Sequence, residues 1–308
     1  MNNQGQGPRF SLPIPDGGYE RVFTGEIDVL THNELLVRGQ LRDHRYSIHH
    51  TWRLRTPDYE VLEASAAHEA GAPDQFSPDI CLRYPEIQGV RIGRGFSRHI
   101  TAAIGDLPGQ TEHLSLAIEM ARIGQQIYQF PPGFNEQFTQ TTVSDTEAAR
   151  VAWEKDRAYM TDLAESCYTY RAETAELFAT RQVKCGFDIS ITRPQPGDKR
   201  AFWRNKRLTV SRDAQDGFLC AGAMEDKIHD IRLEFTMAAD GLISGATSRG
   251  ARLPYQGICE DAQLRTPLLN GARINGEYVK QFAEYVGGRN GCTHLFDQAM
   301  DCLRLFRF

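Results

Sequence analysis

The sequence predicts an α+β fold of two tandem, related units, each a set of antiparallel strands followed by helices, joined by a long helix. Three observations predict it. Apolar and polar residues alternate in short runs over residues 20–70 and again from Phe202, apolar stripes at helical spacing follow the first set, and the last third of the chain repeats the first. The expected organisation is a flexible N-terminal arm at 1–18, a first α+β repeat at 19–134, a connecting helical segment at 135–198 and a second α+β repeat at 199–308. The crevice between two such halves, related by a pseudo-twofold axis, is the expected ligand site.

The arm, MNNQGQGPRFSLPIPDGGY, is polar and rich in Gly and Pro, with no signal-like apolar region. ELLVRGQLRDHRYSI and WRLRTPDYEVLEASAAHE then alternate as strands do, with Arg42-Asp43 and Pro57-Asp58 as turns. After a loop near 71–79, ICLRYPEIQGVRIGRGFSRHITAAIG reads as one or two helices separated by a turn at Gly89–Gly95. Leu116, Met120, Ile123 and Ile127 fall at steps of 4, 3 and 4, which is one face of an amphipathic helix. PPGF (131–134) ends that unit, and Ser144-Asp145-Thr146-Glu147 resembles a capping box. It opens a helix expected to run to about residue 181, with Ala149, Trp153, Asp156, Met160, Leu163, Cys167, Tyr170, Thr174 and Leu177 as its stripe. RPQPGDK (193–199) breaks the chain again before the strands FWRNKRLTVS and FLCAGAMED.

The repeat is a ladder of matches. At an offset of 182, Pro85, Gly89, Arg91, Ile92, Phe96, Gly105 and Thr111 meet Pro267, Gly271, Arg273, Ile274, Tyr278, Gly287 and Thr293. One residue later in the offset, at 181, His113-Leu114 meets His294-Leu295. The strand register within the copies stays open. IHHTWRLRT and IHDIRLEFT match by their histidines (His49 with His229) or, shifted by one, by their alternation.

A hydrophobic content of 41%, a charged content of 24% and a net charge of −5 are those of a soluble globular protein without a basic nucleic-acid surface. No apolar run reaches about 18 residues, so no membrane helix is expected, and the chain reads as cytoplasmic. Seven widely spaced cysteines without a CxxC pair read as reduced thiols. There is no P-loop, dinucleotide fingerprint, HExxH or GxSxG, so nucleotide and flavin cofactors have no support. KRAFWRNKR (199–207) interleaves aromatics and cations and reads as a solvated strand face before it reads as an anion surface.

IHDIRLEFT (228–236), Pro254-Tyr255 with Cys259, LLNGARINGEY (268–278) and GGRNGCTHL (287–295) resemble the bacterial "domain of unknown function 2889" family. FSPDICLRYPEIQGVRIGRGFSRHI (76–100) carries other parts of the same pattern in the first copy, with GQTEHL in place of GCTHL and His50 where the second copy has Asp230. A tandem protein of this kind also resembles the carbon–carbon lyases that release formaldehyde from lignin-derived dimers. The order His229-Asp230, strands, Cys259 and a cysteine opening the last helix resembles iron–sulfur cluster scaffold proteins, without their first cysteine and with Gly291 before Cys292.

The lyase resemblance implies a cofactor-independent enzyme that cleaves a phenolic side chain and releases formaldehyde, with a small aromatic substrate; a homodimer is a separate option for the quaternary state. The residues expected to carry such a reaction are His229, Asp230, Tyr255, His50 and Asp156, with Asp156 or His229 as base and Tyr255 as phenol contact. Asp156 is singled out because a carboxylate on a Trp/Met/Leu stripe must be paired, protonated or facing a cavity. Trp153, Tyr159 and Arg91 are the expected substrate contacts. Two other readings stay open. His229, Cys259, Cys292 and His294 offer the N and S donors of a zinc or iron site, and a duplicated scaffold or ligand-binding protein needs no chemistry at all. In GCTHL, Thr293 is expected to cap the last helix, and Cys292 is the one specific chemical suspect. Seven of the nine histidines precede residue 114, with His44, His49 and His50 clustered and His99 and His113 following, which tilts ligand roles toward the first half.

Overall fold

Strand alternation and helical stripes set the elements. A computed structural model of the chain describes residues 18–70, 75–127, 145–160, 162–186, 194–213 and 216–306. The arm up to residue 17, PPGF, Ser144 of the capping box and Arg193 of RPQPGDK lie outside the described residues. The chain divides into two compact units. An N-terminal unit takes in Arg21–Thr141 and Asp188–Lys206, and a C-terminal unit Met1–Glu20, Thr142–Phe187 and Arg207–Phe308.

In the N-terminal unit β1 (Tyr19–Thr31), β2 (Glu34–Asp43), β3 (Tyr46–Arg55) and β4 (Glu60–Ala70) form an antiparallel meander in the order β4-β3-β2-β1. Leu35, Val37 and Leu41 on β2 face inward beside Leu54, Trp52 and Ile48 on β3. Helices α1 (Pro78–Arg83), α2 (Phe96–Ile104) and α3 (Gln110–Gly124) follow. Ser77 caps α1 by accepting from the Asp79 N–H, with Pro78 at the first helical position. Leu116, Met120, Ile123 and Ile127 are all fully buried, as the stripe predicts. Gly39 is required where α3 crosses the sheet: a Cβ there would lie 2.7 Å from Met120 Cγ.

In the C-terminal unit, α4 (Asp145–Tyr159) is followed by turns, a short 3-10 stretch and α5 (Leu177–Thr180). The expected long helix to residue 181 is therefore not formed. Polar side chains compete with its continuation: Glu165 accepts from the Ala172 N–H at 2.8 Å, and the Thr174 hydroxyl donates to the Tyr168 carbonyl at 2.8 Å. The stripe residues beyond Met160 consequently fold back beside α4 instead of extending it. β5 (Lys184–Cys185) comes next, and the boundary between the units falls within β6 (Phe202–Arg212). β7 (Phe218–Asp226), β8 (Asp230–Met237) and β9 (Ile243–Arg252) pair antiparallel, and β10 (Tyr255–Gln256) pairs with β5. α6 (Glu260–Gln263), α7 (Tyr278–Val286) and α8 (Thr293–Leu303) complete the unit. Each unit is thus an antiparallel sheet followed by helices, the α+β class the sequence predicts.

The local geometry of the two units agrees at several ladder positions and differs at Gly105, whose φ is +73° against −107° at Gly287. Gly89 N–H donates to the Val61 carbonyl and Gly271 N–H to that of Ile243, and Ile92 N–H donates to the Tyr59 carbonyl as Ile274 N–H does to that of Gly241. α2 and α7 are both nine residues long and begin 182 positions apart. The buried residues of β3 are even-numbered (Tyr46, Ile48, His50, Trp52, Leu54), and those of β8 are odd (Ile231, Leu233, Phe235, Met237). His49 is exposed and His229 buried, so the two histidines differ in which way they face. Gly39 pairs with His50 on β3, and Gly222 pairs with Leu233 on β8.

KRAFWRNKR has a solvated face, with Lys199, Arg200, Asn205 and Arg207 exposed, and a buried one. Phe202, Arg204 and Lys206 point inward, and Lys206 Nζ lies 2.8 Å from the Glu119 carboxylate inside the N-terminal unit. Burial opposes the Glu119 charge, but Lys206, Arg122 and Arg204 together outweigh it and hold the carboxyl below its ordinary range. No helix among the described residues is long and apolar enough to cross a membrane.

Candidate functional site

Part of the candidate groups gather into one cluster inside each unit. In the C-terminal unit, α4 presents Asp156, the folded-back segment returns Thr169 and Tyr170, and the β5–β10 pair places Cys185 opposite Tyr255. Asp156 Oδ2 accepts from the Tyr255 hydroxyl at 2.5 Å and from the Tyr170 hydroxyl at 2.8 Å. The two tyrosine rings meet edge to face at 6.0 Å, Phe178 lies 6.4 Å from Tyr255, and Trp153 lies 5.5 Å from Phe178. Burial raises the Asp156 carboxyl from 3.8 to about 6, against the hydrogen bonds from Tyr255 and Tyr170, which favour the anion. Burial, then the Asp156 charge, pushes both phenols well above 10, so they stay protonated donors. A carboxyl that titrates near 6 between two fixed O–H donors can take or give a proton at neutral pH.

The other expected residues stand elsewhere. Tyr159 is exposed at the end of α4, and Arg91, in the N-terminal unit, spends its guanidinium on Asp58 at 3.3 Å and Glu60 at 3.5 Å. His229 and Asp230 do not work as a pair. His229 Nδ1 faces Asp226 at 3.1 and 3.3 Å, and Asp226 also accepts the Ile228 and His229 N–H groups, which makes it the hub of the β7–β8 turn. Asp230 is the first residue of β8, opposite Glu225 and Arg252. The His294 ring lies 4.1 Å from that of His229, tilted by 45°. Thr293 is the first residue of α8 and does not cap it; Cys292 occupies the cap position without a side-chain bond. Burial pushes the Cys292 thiol to about 12 and raises Cys259, whose Sγ contacts the Thr169 hydroxyl at 3.1 Å, so neither is a ready nucleophile. His229, Cys259, Cys292 and His294 do not converge as a ligand set among the described residues.

The second cluster lies in the N-terminal unit, where a chain of hydrogen bonds runs outward from the core. Trp52 Nε1–H donates to the Tyr84 oxygen at 3.2 Å, Tyr84 contacts His50 Nδ1 at 2.7 Å, and His50 Nε2 contacts His113 Nδ1 at 2.9 Å. His113 Nε2 then lies 3.3 Å from His68 Nδ1, and Cys81 Sγ lies 3.2 Å from the same atom. Burial holds His50 well below 6.5 and His113 at about 3, so both rings are neutral. Of these residues the sequence had pointed only to His50 and His113. Tyr84, His68 and Cys81 come from three separate elements, and no local spacing links them; Tyr170 was visible only as a stripe residue, and Asp226 was not singled out.

Residues 209–304 match the family model described as "Protein of unknown function (DUF2889)". The DUF2889 match contains His229, Asp230, Tyr255, Cys259, Cys292 and His294, whereas Asp156, Tyr170 and Cys185 lie outside it in the same unit. The histidine chain of the N-terminal unit is outside it as well. No curated protein matches the chain, and no solved structure does.

Proposed function

We propose that the chain is an enzyme whose acid–base centre is Asp156 with Tyr255 and Tyr170, and that it is a cofactor-independent lyase acting on a small phenolic compound. One observation carries the reading: a carboxyl titrating near 6, held by two phenolic hydroxyls, one of which belongs to a ring in contact with Phe178. In the reaction, a substrate side-chain hydroxyl gives its proton to the Asp156 carboxylate and its carbon leaves as formaldehyde. The quinone methide that accepts the electron pair forms beforehand, when the phenol loses its proton and the benzylic hydroxyl leaves as water; the pair of the broken carbon–carbon bond then becomes a side-chain double bond, the ring returns to a phenolate, and a tyrosine O–H stabilises the new charge. The same chain is read as two related copies of one α+β unit. The agreement of hydrogen bonds at a common offset in both units supports this, as does the shared order of strands, 3-10 turn and helices.

The test is the purified full chain incubated with a panel of phenolic lignin dimers, with formaldehyde assayed directly. Turnover that falls at least about 100-fold in Asp156→Asn is expected for a general base. Stability separates this from a structural role. The Asp156 carboxyl is raised in the fold, so its contribution to stability is full below about pH 4 and is lost as pH rises through about 6. The asparagine removes that loss, worth no more than about 3 kcal/mol, and its unfolding midpoint at pH 8 should not be below that of the parent. No product across the panel, with phenols merely bound, would replace the lyase by a binding protein.

A further inference from the structure

A different set of residues, independent of the lyase reading, is arranged for a metal ion. His68 near the end of β4, Cys81 in α1 and His113 in α3 offer one donor atom each within 4.8 Å of one another. Two ligand atoms on a tetrahedral zinc, at ordinary Zn–N and Zn–S lengths, sit about 3.3–3.6 Å apart. His113 Nε2 and Cys81 Sγ stand 3.3 and 3.2 Å from His68 Nδ1, which is close to that spacing. We propose that His68, Cys81 and His113 bind a single zinc-class divalent ion, with the fourth position left to water.

The donor set of two imidazoles and one thiolate selects a borderline-soft cation over magnesium or calcium. A second observation points the same way. The far nitrogen of His113 is held by His50 at 2.9 Å, and His50 in turn by Tyr84 at 2.7 Å. That is the outer-shell support metal-binding histidines carry, and it aims Nε2 at the site. Loading the ion requires His113 to carry its proton on Nδ1, donated to His50, and His50 to donate to the Tyr84 oxygen, which accepts it beside the Trp52 N–H. The Cys81 thiol proton is released to solvent. His68 and Cys81 are only half-buried, so the ion can enter from that side. The ladder offset puts Gly250 and Gln263 where His68 and Cys81 stand, and among the described residues of the C-terminal unit no such set of donors comes together.

The experiment uses the full chain, stripped with a chelator and titrated with Co(II) and then Zn(II). A single Co(II) with thiolate charge-transfer absorption and the intense visible bands of a four-coordinate centre, displaced by one equivalent of Zn(II), is the expected result. Cys81→Ser should abolish the charge-transfer band, and His68→Gln should weaken binding while leaving the unfolding midpoint of the stripped protein unchanged. His50→Gln, which touches no metal, should lower affinity about 10–100-fold. Absence of stoichiometric binding, or a cobalt spectrum that survives Cys81→Ser, would overturn the site.

Discussion

Asp156 has the character its sequence context demands. A carboxylate on an apolar helical stripe needs a partner or a proton, and here it has two hydroxyl donors and a carboxyl that titrates near 6. Tyr255 is the nearer donor and fully buried, so Tyr255→Phe withdraws a bond that favours the anion. The Asp156 carboxyl should then rise further, by about 1 unit, and the acidic limb of the pH–rate profile should move with it. Carboxylate infrared titration reads the same shift without turnover; a limb that stays in place would mean that Asp156 is not the titrating group. Cys292, by contrast, loses its claim to nucleophilic chemistry because burial keeps it a thiol.

At the scale of elements, the approach of one segment to another decides which residues are tolerated. Gly291 precedes α8, and a Cβ there would sit 2.1 Å from the Val286 carbonyl oxygen at the end of α7. Gly291→Ala must push the two helices apart. A loss of about 1–3 kcal/mol is expected, read as a lower urea midpoint with an unchanged slope. The histidine chain depends on elements in the same way. β3 supplies His50, β4 His68, α1 Cys81 and α3 His113, so its assembly follows from how the helices lie on the sheet. The alternating pattern put His50 on the inward face of β3, yet nothing in that pattern says which side chain meets it there.

At the scale of the molecule, each unit is assembled from separated stretches of chain. Trp153, Phe178 and Val183 belong to the same buried cluster as Tyr255, Leu295 and Phe306. Residues 207–308 alone, which include the whole DUF2889 match, therefore lack part of their core. That fragment should show no cooperative thermal unfolding, whereas the same fragment joined to residues 142–187 should regain it; a cooperative transition in the short fragment would refute the shared core. The sequence by itself determined the α+β class, the strand alternation, the amphipathic α3 and the ladder of matched positions. All of these are periodic signals carried by neighbours in the chain. It also marked Asp156 as anomalous, because one charge interrupts a local pattern. Only the tertiary structure decided that the helix after Tyr159 turns back and brings Tyr170 to Asp156. Only the tertiary structure paired His229 with Asp226 in place of Asp230, and gathered His68, Cys81 and His113 from three elements. Such convergence depends on packing distances between segments far apart in sequence, and no spacing along the chain encodes them.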